Sequence, residues 1–197
     1  FGIYLCGPKN AKARNNRIRG LQTTHVNSRG YGVSVWNSPG SVVENNDIRF
    51  GRDGIFSTTS KKNIFRNNSF RDTRIAIHYM YTNNSTVTGN ISEGNHVGFA
   101  LMFSKKLKVY GNQSIGDRDH GILLNYTNGS VIRDNLVKDG NGKCVFIYNS
   151  SKNRFLDNRF ERCKIGIHFT AGSERNEMTG NAFVANATQV KYVGTTD

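Results

Sequence analysis

Two linked apolar rhythms run along the chain. An asparagine recurs at Asn16, Asn46, Asn68, Asn90, Asn112, Asn135, Asn158 and Asn181, at intervals of 30, then 22, 22, 22, 23, 23 and 23. Three residues before each stands Ala13, Val43, Phe65, Val87, Val109, Ile132, Phe155 or Met178. Two residues after come Ile18, Ile48, Phe70, Ser92, Ser114, Val137, Phe160 and Phe183, apolar except for the two serines. In step with this run Gly32-Val33-Ser34-Val35, Gly54-Ile55-Phe56-Ser57, Ala76-Ile77-His78-Tyr79, Gly98-Phe99-Ala100-Leu101 and their later copies. Their second and fourth places are apolar in nearly every copy, which is the alternation of a β-strand.

A period of 22–23 residues with short strands and polar turns predicts an all-β fold, a right-handed parallel β-helix of about nine coils stacked about 4.8 Å apart. The recurrent Asn then forms a ladder, at turns whose left-handed backbone Asn tolerates. A propeller blade of about 40 residues does not fit. The first interval is longer by about eight residues, which predicts a loop near residues 21–29. Residues 1–197 then form one β-helix domain. It is incomplete at one or both ends, because the chain opens already in a strand pattern and neither end shows a cap over the exposed strand edge.

The alternation also says which side chains point outward. One outward column reads Tyr4, Ser34, Phe56, His78, Ala100, Leu123, Phe146, His168, Lys191; the next reads Cys6, Trp36, Thr58, Met80, Met102, Asn125, Tyr148, Thr170. A solvated face would carry Thr, Ser, Lys and Asn. Trp36, Phe56, Leu123, Phe146 and Tyr148 instead predict a covered face, beneath a partner or another segment of the chain. Met80 and Met102 are equivalent residues on adjacent coils, with His78 on the same face and His96 and His120 preceding the next two copies. Two stacked Met fit packing beneath a partner. With imidazole beside them they also form a ligand set suited to Cu(I).

Hydrophobic residues make up only 36% of the chain, too few for a thick two-layer core. The net charge of +13 points to an anionic partner or to solubility. No apolar run of about 18 residues is present to span a bilayer, and no signal peptide is seen. Of three cysteines, Cys144 and Cys163 fall in neighbouring copies; a disulfide and two small buried fillers both fit, and no C-x-x-C suggests a zinc site. Ladders of like charge, Arg52/Arg74/His96 continuing to Arg118 or Asp119, and Arg19/Arg49/Arg71, need counter-charges. Asp117, Asp119 and His120 are the one tight cluster that could act as acid and base on an acidic polysaccharide, the alternative, lyase- or epimerase-type reading. Asn-x-Ser/Thr tripeptides are read as turns rather than glycosylation sites.

Several stretches resemble the NosD family. They are Gly51-Arg52-Asp53-Gly54-Ile55-Phe56, His78-Tyr79-Met80-Tyr81-Thr82-Asn83, Ser92-Glu93-Gly94-Asn95-His96-Val97-Gly98, Gly116-Asp117-Arg118-Asp119-His120-Gly121, Lys143-Cys144-Val145-Phe146-Ile147-Tyr148-Asn149, Gly166-Ile167-His168-Phe169-Thr170-Ala171-Gly172-Ser173 and Gln189-Val190-Lys191-Tyr192-Val193-Gly194-Thr195. The resemblance spans nearly the whole chain. It implies the central and later coils of a periplasmic, non-enzymatic accessory protein of nitrous oxide reductase maturation, with copper, as Cu(I) held transiently, as its cargo. Its implied partners are an ABC-type transporter, a copper-chaperone lipoprotein and the reductase, not nucleic acid. With the family in view, Met80, Met102, His78, His96 and His120 become candidate copper ligands and Trp36, Phe56, Leu123, Phe146 and Tyr148 a partner face.

Overall fold

The computed structural model describes residues 1–23 and 25–194. Thr24 in the insertion, and Thr195 at the end of the last family motif, lie outside the described residues. The chain winds as a right-handed parallel β-helix with three sheets. Among the described residues one sheet has nine strands and the other two have eight each. Every pairing is between a strand and its equivalent one coil later. In the first sheet, for example, Ile75–Met80 pairs with Asp53–Thr58 on one side and Val97–Met102 on the other.

The pattern produces this fold because each coil buries one thin set of apolar side chains. Ile77 and Tyr79, with Ile55, Phe99, Leu101, Ile122 and Leu124, line the interior of the first sheet. Phe65, Val87, Val109 and Phe155 line the second, and Ile48, Phe70, Val137 and Phe160 the third. Burying a side chain of this size stabilises by about 1.5–3 kcal/mol. A one-residue slip would turn every one of them outward, so the alternation sets the register.

The Asn ladder forms at the corner between the second and third sheets. Asn90 is representative: its backbone N–H and Nδ2 donate to Asn112 Oδ1 at 3.0 and 3.1 Å, and Nδ2 also donates to the Phe65 carbonyl at 2.9 Å. One detail of the expectation is corrected. The ladder Asn is not the left-handed residue. That conformation belongs to the residue before it: Asn45, Asn67, Gly89, Gly111, Asp134 and Asp157, with φ between 53° and 64°. The ladder Asn serves instead to satisfy backbone groups that the turn leaves unpaired.

A second ladder at the corner leading into the first sheet explains the two serines in the apolar series. Thr73 N–H donates to Asn95 Oδ1 and Asn95 N–H to Asp117 Oδ1, each at 2.8 Å. Asn95 Nδ2 donates to Ser92 Oγ at 2.8 Å, and Ser114 Oγ donates to Asp117 Oδ2 at 2.5 Å. Gly98 sits against this corner, where a Cβ would come within 2.8 Å of Asp117 Oδ2.

Cys144 and Cys163 are joined as a disulfide, with Cα atoms 5.7 Å apart, so of the two sequence readings the buried bridge holds; Cys6 is exposed and free. The predicted insertion lies between Arg17–Arg19 and Val33–Trp36 and contains a short 3-10 turn, Val26–Ser28, capped by His25. Arg29 ties it down by donating to the Asp72 and Gln22 carbonyls. Among the described residues no helix is long and apolar enough to cross a membrane.

Candidate functional site

The outward face of the first sheet carries the candidate chemistry. Both predicted columns are in register: Phe56, His78, Ala100, Leu123, Phe146 and His168 stack in one, and Trp36, Thr58, Met80, Met102, Asn125 and Tyr148 in the other. Met80 and Met102 are direct partners on adjacent strands, both half-buried. His78 lies two residues before Met80 and so on the same face.

His78 is held by a residue from the preceding coil. Asp53 Oδ2 accepts from His78 Nδ1 at 3.0 Å, and the same carboxylate accepts from Arg74 Nε at 2.9 Å and Nη2 at 2.7 Å. Burial alone would raise the Asp53 pKa. The bonds from His78 and Arg74 and their charges outweigh it and hold the carboxyl below its ordinary value. In a neutral ring this contact puts the proton on Nδ1 and the lone pair on Nε2, which is buried and has no hydrogen-bond partner among the described residues. A carboxylate on one imidazole nitrogen with the other left open is the usual setting of a metal-binding histidine. Phe56 packs on the same ring, with centroids 5.1 Å apart.

His96 and His120 lie elsewhere. His120 is the partner of Val97, and Val97 begins the strand that Met102 ends, so some five residues, about 16 Å, separate them from the Met pair along the strand direction. They line, with Met102, Leu123 and His25 of the insertion, an open groove of about 920 Å³. Burial and the nearby Lys143 push the His120 pKa down to about 4. Burial and Arg118 lower that of His96, 3.9 Å from Asp119. Burial, Lys143 and Lys191 lower that of His168. All three shifts favour the neutral imidazole, the form that binds metal. Among the described residues no group of three or more His, Cys, Asp or Glu side chains is arranged to hold a metal. A metal on this face would need the thioethers.

The Asp117–Asp119–His120 cluster does not assemble. Asp117 is only 2% exposed and its carboxyl is turned into the coil corner, bonded to Asn95 and Ser114. Burial, against these bonds, raises its pKa to about 6. The hydroxyl and amide ladder captures the one polar side chain the corner needs, so Asp117 does not face outward with Asp119 and His120. The extra residue of this coil is also resolved: Asp119 N–H bonds to the His96 carbonyl and Arg118 N–H to the Asn95 carbonyl, so Asp119 continues the ladder and Arg118 projects beside it.

Of the predicted partner face, Trp36 and Tyr148 are 45% and 42% exposed, and Phe56, Leu123 and Phe146 are half-buried. The structure adds neighbours that the outward columns omitted. Tyr81, Phe103 and Tyr126 occupy the next corner with φ near 50° and stack with centroids 5.3 Å apart; their spacing of 22 and 23 residues was the available signal. Such conformations are costly for bulky side chains, and the equivalent corner positions Asn37 and Asn149 show the cheaper choice. Asp53 supplies the counter-charge that Arg74 needs, and no spacing in the sequence signals its bond to His78. Asn125, whose buried Oδ1 has no hydrogen-bond partner among the described residues, follows Met102 in its column.

The comparisons with known proteins bear on the family and the fold. The sequence model of the family described as "Periplasmic copper-binding protein (NosD)" matches residues 2–197. Two curated relatives, both called probable ABC transporter binding protein NosD, come from Stutzerimonas stutzeri and Pseudomonas aeruginosa. They are 39% and 38% identical over 98% of this chain, and the match covers 48% of each relative. The chain thus spans about half the length of the curated relatives it matches. Among solved structures, a double mutant of the periplasmic alginate epimerase AlgG matches 93% of this chain and 56% of its own, with a TM-score of 0.74 at 12% identity. The A-module of the Azotobacter vinelandii mannuronan C-5 epimerase matches 98% of this chain and 74% of its own, with a TM-score of 0.57 at 13% identity. At such identities these two share the fold alone. The family model and the curated relatives decide the kinship, and the chain belongs to the NosD family.

Proposed function

We propose that the chain is the solenoid part of a non-catalytic periplasmic accessory protein that handles copper for the maturation of the copper–sulfur centre of nitrous oxide reductase. The observation that carries the reading is the registered Met80/Met102 pair with His78 beside it, its Nδ1 held by Asp53 and its Nε2 open. Thioethers and a neutral imidazole suit Cu(I) and serve zinc poorly. The set contains no anionic ligand, so it binds the ion without trapping it, as a hand-over protein requires. His96 and His120 line the groove that reaches Met102 and are the donors through which cargo enters or leaves. The family's description as periplasmic and copper-binding supports the reading, as does a disulfide, which persists in an oxidising compartment. The partners are the ABC-type transporter that the relatives' names mention, a copper-chaperone lipoprotein and the reductase. The Trp36, Phe56, Leu123, Phe146 and Tyr148 face docks one of them.

A competition titration with a chromogenic Cu(I) chelator tests the site. Met80→Ala/Met102→Ala is expected to weaken Cu(I) binding by roughly tenfold or more, as loss of two soft ligands should. Unchanged affinity removes the site. Normal maturation of the reductase with Met80, Met102 and His78 all replaced would leave this face a scaffold.

A further inference from the structure

Several arginines of the solenoid are neutralised by carboxylates within a coil or one coil away. Arg66 bonds Glu44 at 2.6 Å, Arg154 bonds Glu177 at 2.9 Å, Arg162 bonds Asp139 at 2.6 Å, and Arg71 bonds Glu93. Arg74, at the upstream edge of the first sheet, is taken up by Asp53. Arg118, Lys143, Lys164 and Lys191 have no ion-pair partner among the described residues. They come from four successive coils and lie within a few residues of the His120/Lys143 position along the strand direction, so they form a loose, staggered band. The lysines are near enough to act on one another: burial and the charges of Lys191 and Lys164 lower the Lys143 pKa. Stacked like charges cost stability. Left uncancelled beside a groove, they present an anion-attracting field.

The band runs from a built groove. One wall is the insertion, His25–Asn27, and the other is Arg118, Asp119 and Asn141–Lys143. Ile75, Val97, Met102 and Leu123 give it an apolar floor. Cations beside apolar surface match a chain that alternates carboxylates with apolar side chains. A sugar would need an open ring face to stack on. Phe146, the ring nearest these cations, has Lys143 Nζ 4.5 Å from its centroid and the rings of His120 and His168 at 5.1 and 5.2 Å.

We propose that this groove receives an extended acidic segment of a partner polypeptide. Its carboxylates lie on Arg118 and Lys143 and continue toward Lys164 and Lys191, and its apolar side chains rest on Val97, Met102 and Leu123. The site does not depend on copper. Its occupant would pass over Met102, so a docked partner and the thioether pair would be neighbours.

The test uses the copper-free 197-residue chain and a fluorescein-labelled decapeptide of alternating Glu and Leu, read by fluorescence anisotropy. Binding is expected to weaken as salt is raised. It is expected to fall roughly tenfold or more in Arg118→Glu/Lys143→Glu. Lys61→Glu/Lys106→Glu, the same charge change at the opposite edge of the sheet, is expected to bind like the wild type. Arg118→Gln/Lys143→Gln, which adds no repulsion, should show an intermediate loss, and melting curves establish that each variant is folded. Absence of peptide binding, equal losses in the two charge-reversed variants, or an oligoguluronate hexamer binding more tightly than the peptide would each overturn the proposal. The last would identify the groove as a glycan site.

Discussion

Asp53 and His78 meet across one rung of the first sheet, 25 residues apart in sequence, with Oδ2 and Nδ1 at 3.0 Å. The contact is diagonal: Asp53 pairs with Ile75, and His78 stands three residues further along that strand. Arg74 grips the same carboxylate with two bonds, so the charge that orients His78 is already neutralised.

In the proposed copper site Asp53 therefore acts through His78 rather than as a ligand. Asp53→Asn is expected to lower Cu(I) affinity roughly tenfold, the usual effect of removing a partner behind a metal-binding histidine. It should also cost about 3 kcal/mol of stability, because Arg74 loses its carboxylate in a half-buried site. Arg74→Gln should cost stability but leave copper affinity within a few-fold. Chelator competition and urea unfolding on the two variants separate the roles. Wild-type affinity in Asp53→Asn would remove Asp53 from the site.

Two buried groups work against each other as pH changes. Asp117, raised from 3.8 to about 6, holds its proton to higher pH in the folded chain than in the unfolded one, so its contribution is present in acid and is lost as pH rises toward and through about 6. His120, lowered from 6.5 to about 4, acts oppositely: its contribution is present above 6.5 and is lost as pH falls toward and through about 4. The shifts are similar in size, so they largely cancel in the wild type. Asp117→Asn should be more stable at neutral pH by about 3 kcal/mol, the free energy of a shift of about two units. It should then lose stability more steeply as pH falls below 6.5. Urea midpoints measured across this window check both slopes, and a flat profile in Asp117→Asn would contradict the assignment.

Asn112 sits mid-ladder. Its Oδ1 accepts from the Asn90 N–H and Nδ2, and its Nδ2 donates to Asn135 Oδ1 and the Val87 carbonyl. Asn112→Ala leaves several buried polar groups unpaired in one step. A loss of about 3 kcal/mol or more is expected, since each such group costs about 1–3 kcal/mol. Chemical unfolding reads it, with the exposed Asn141→Ala as a control for which little change is expected.

The Cys144–Cys163 bridge closes a loop of 19 residues. Cys144→Ser/Cys163→Ser is expected to lower stability by about 3 kcal/mol through loop entropy. Unfolding of the oxidised wild type, the reduced wild type and the variant should place the last two together.

The β-helix was legible in one dimension because every coil repeats the same solution. An Asn every 22–23 residues and an alternating strand specify the stack, its register and which residues face outward. The Met80/Met102 pairing follows from that repeat alone. Contacts that run diagonally or turn a corner do not repeat, and these had to be seen in the folded chain. Nothing local told Asp117, bonded inward to Ser114, from Asp119, exposed beside His96, because one extra residue in that coil decides which side chain meets the ladder. Asp53 reaches His78 only because neighbouring coils bring positions three residues out of step together. The distance of His96 and His120 from the Met pair, and the groove they share with the insertion, likewise depend on where strand and corner fall in space. Repetition encodes the scaffold, and the chemistry lies in the departures from it.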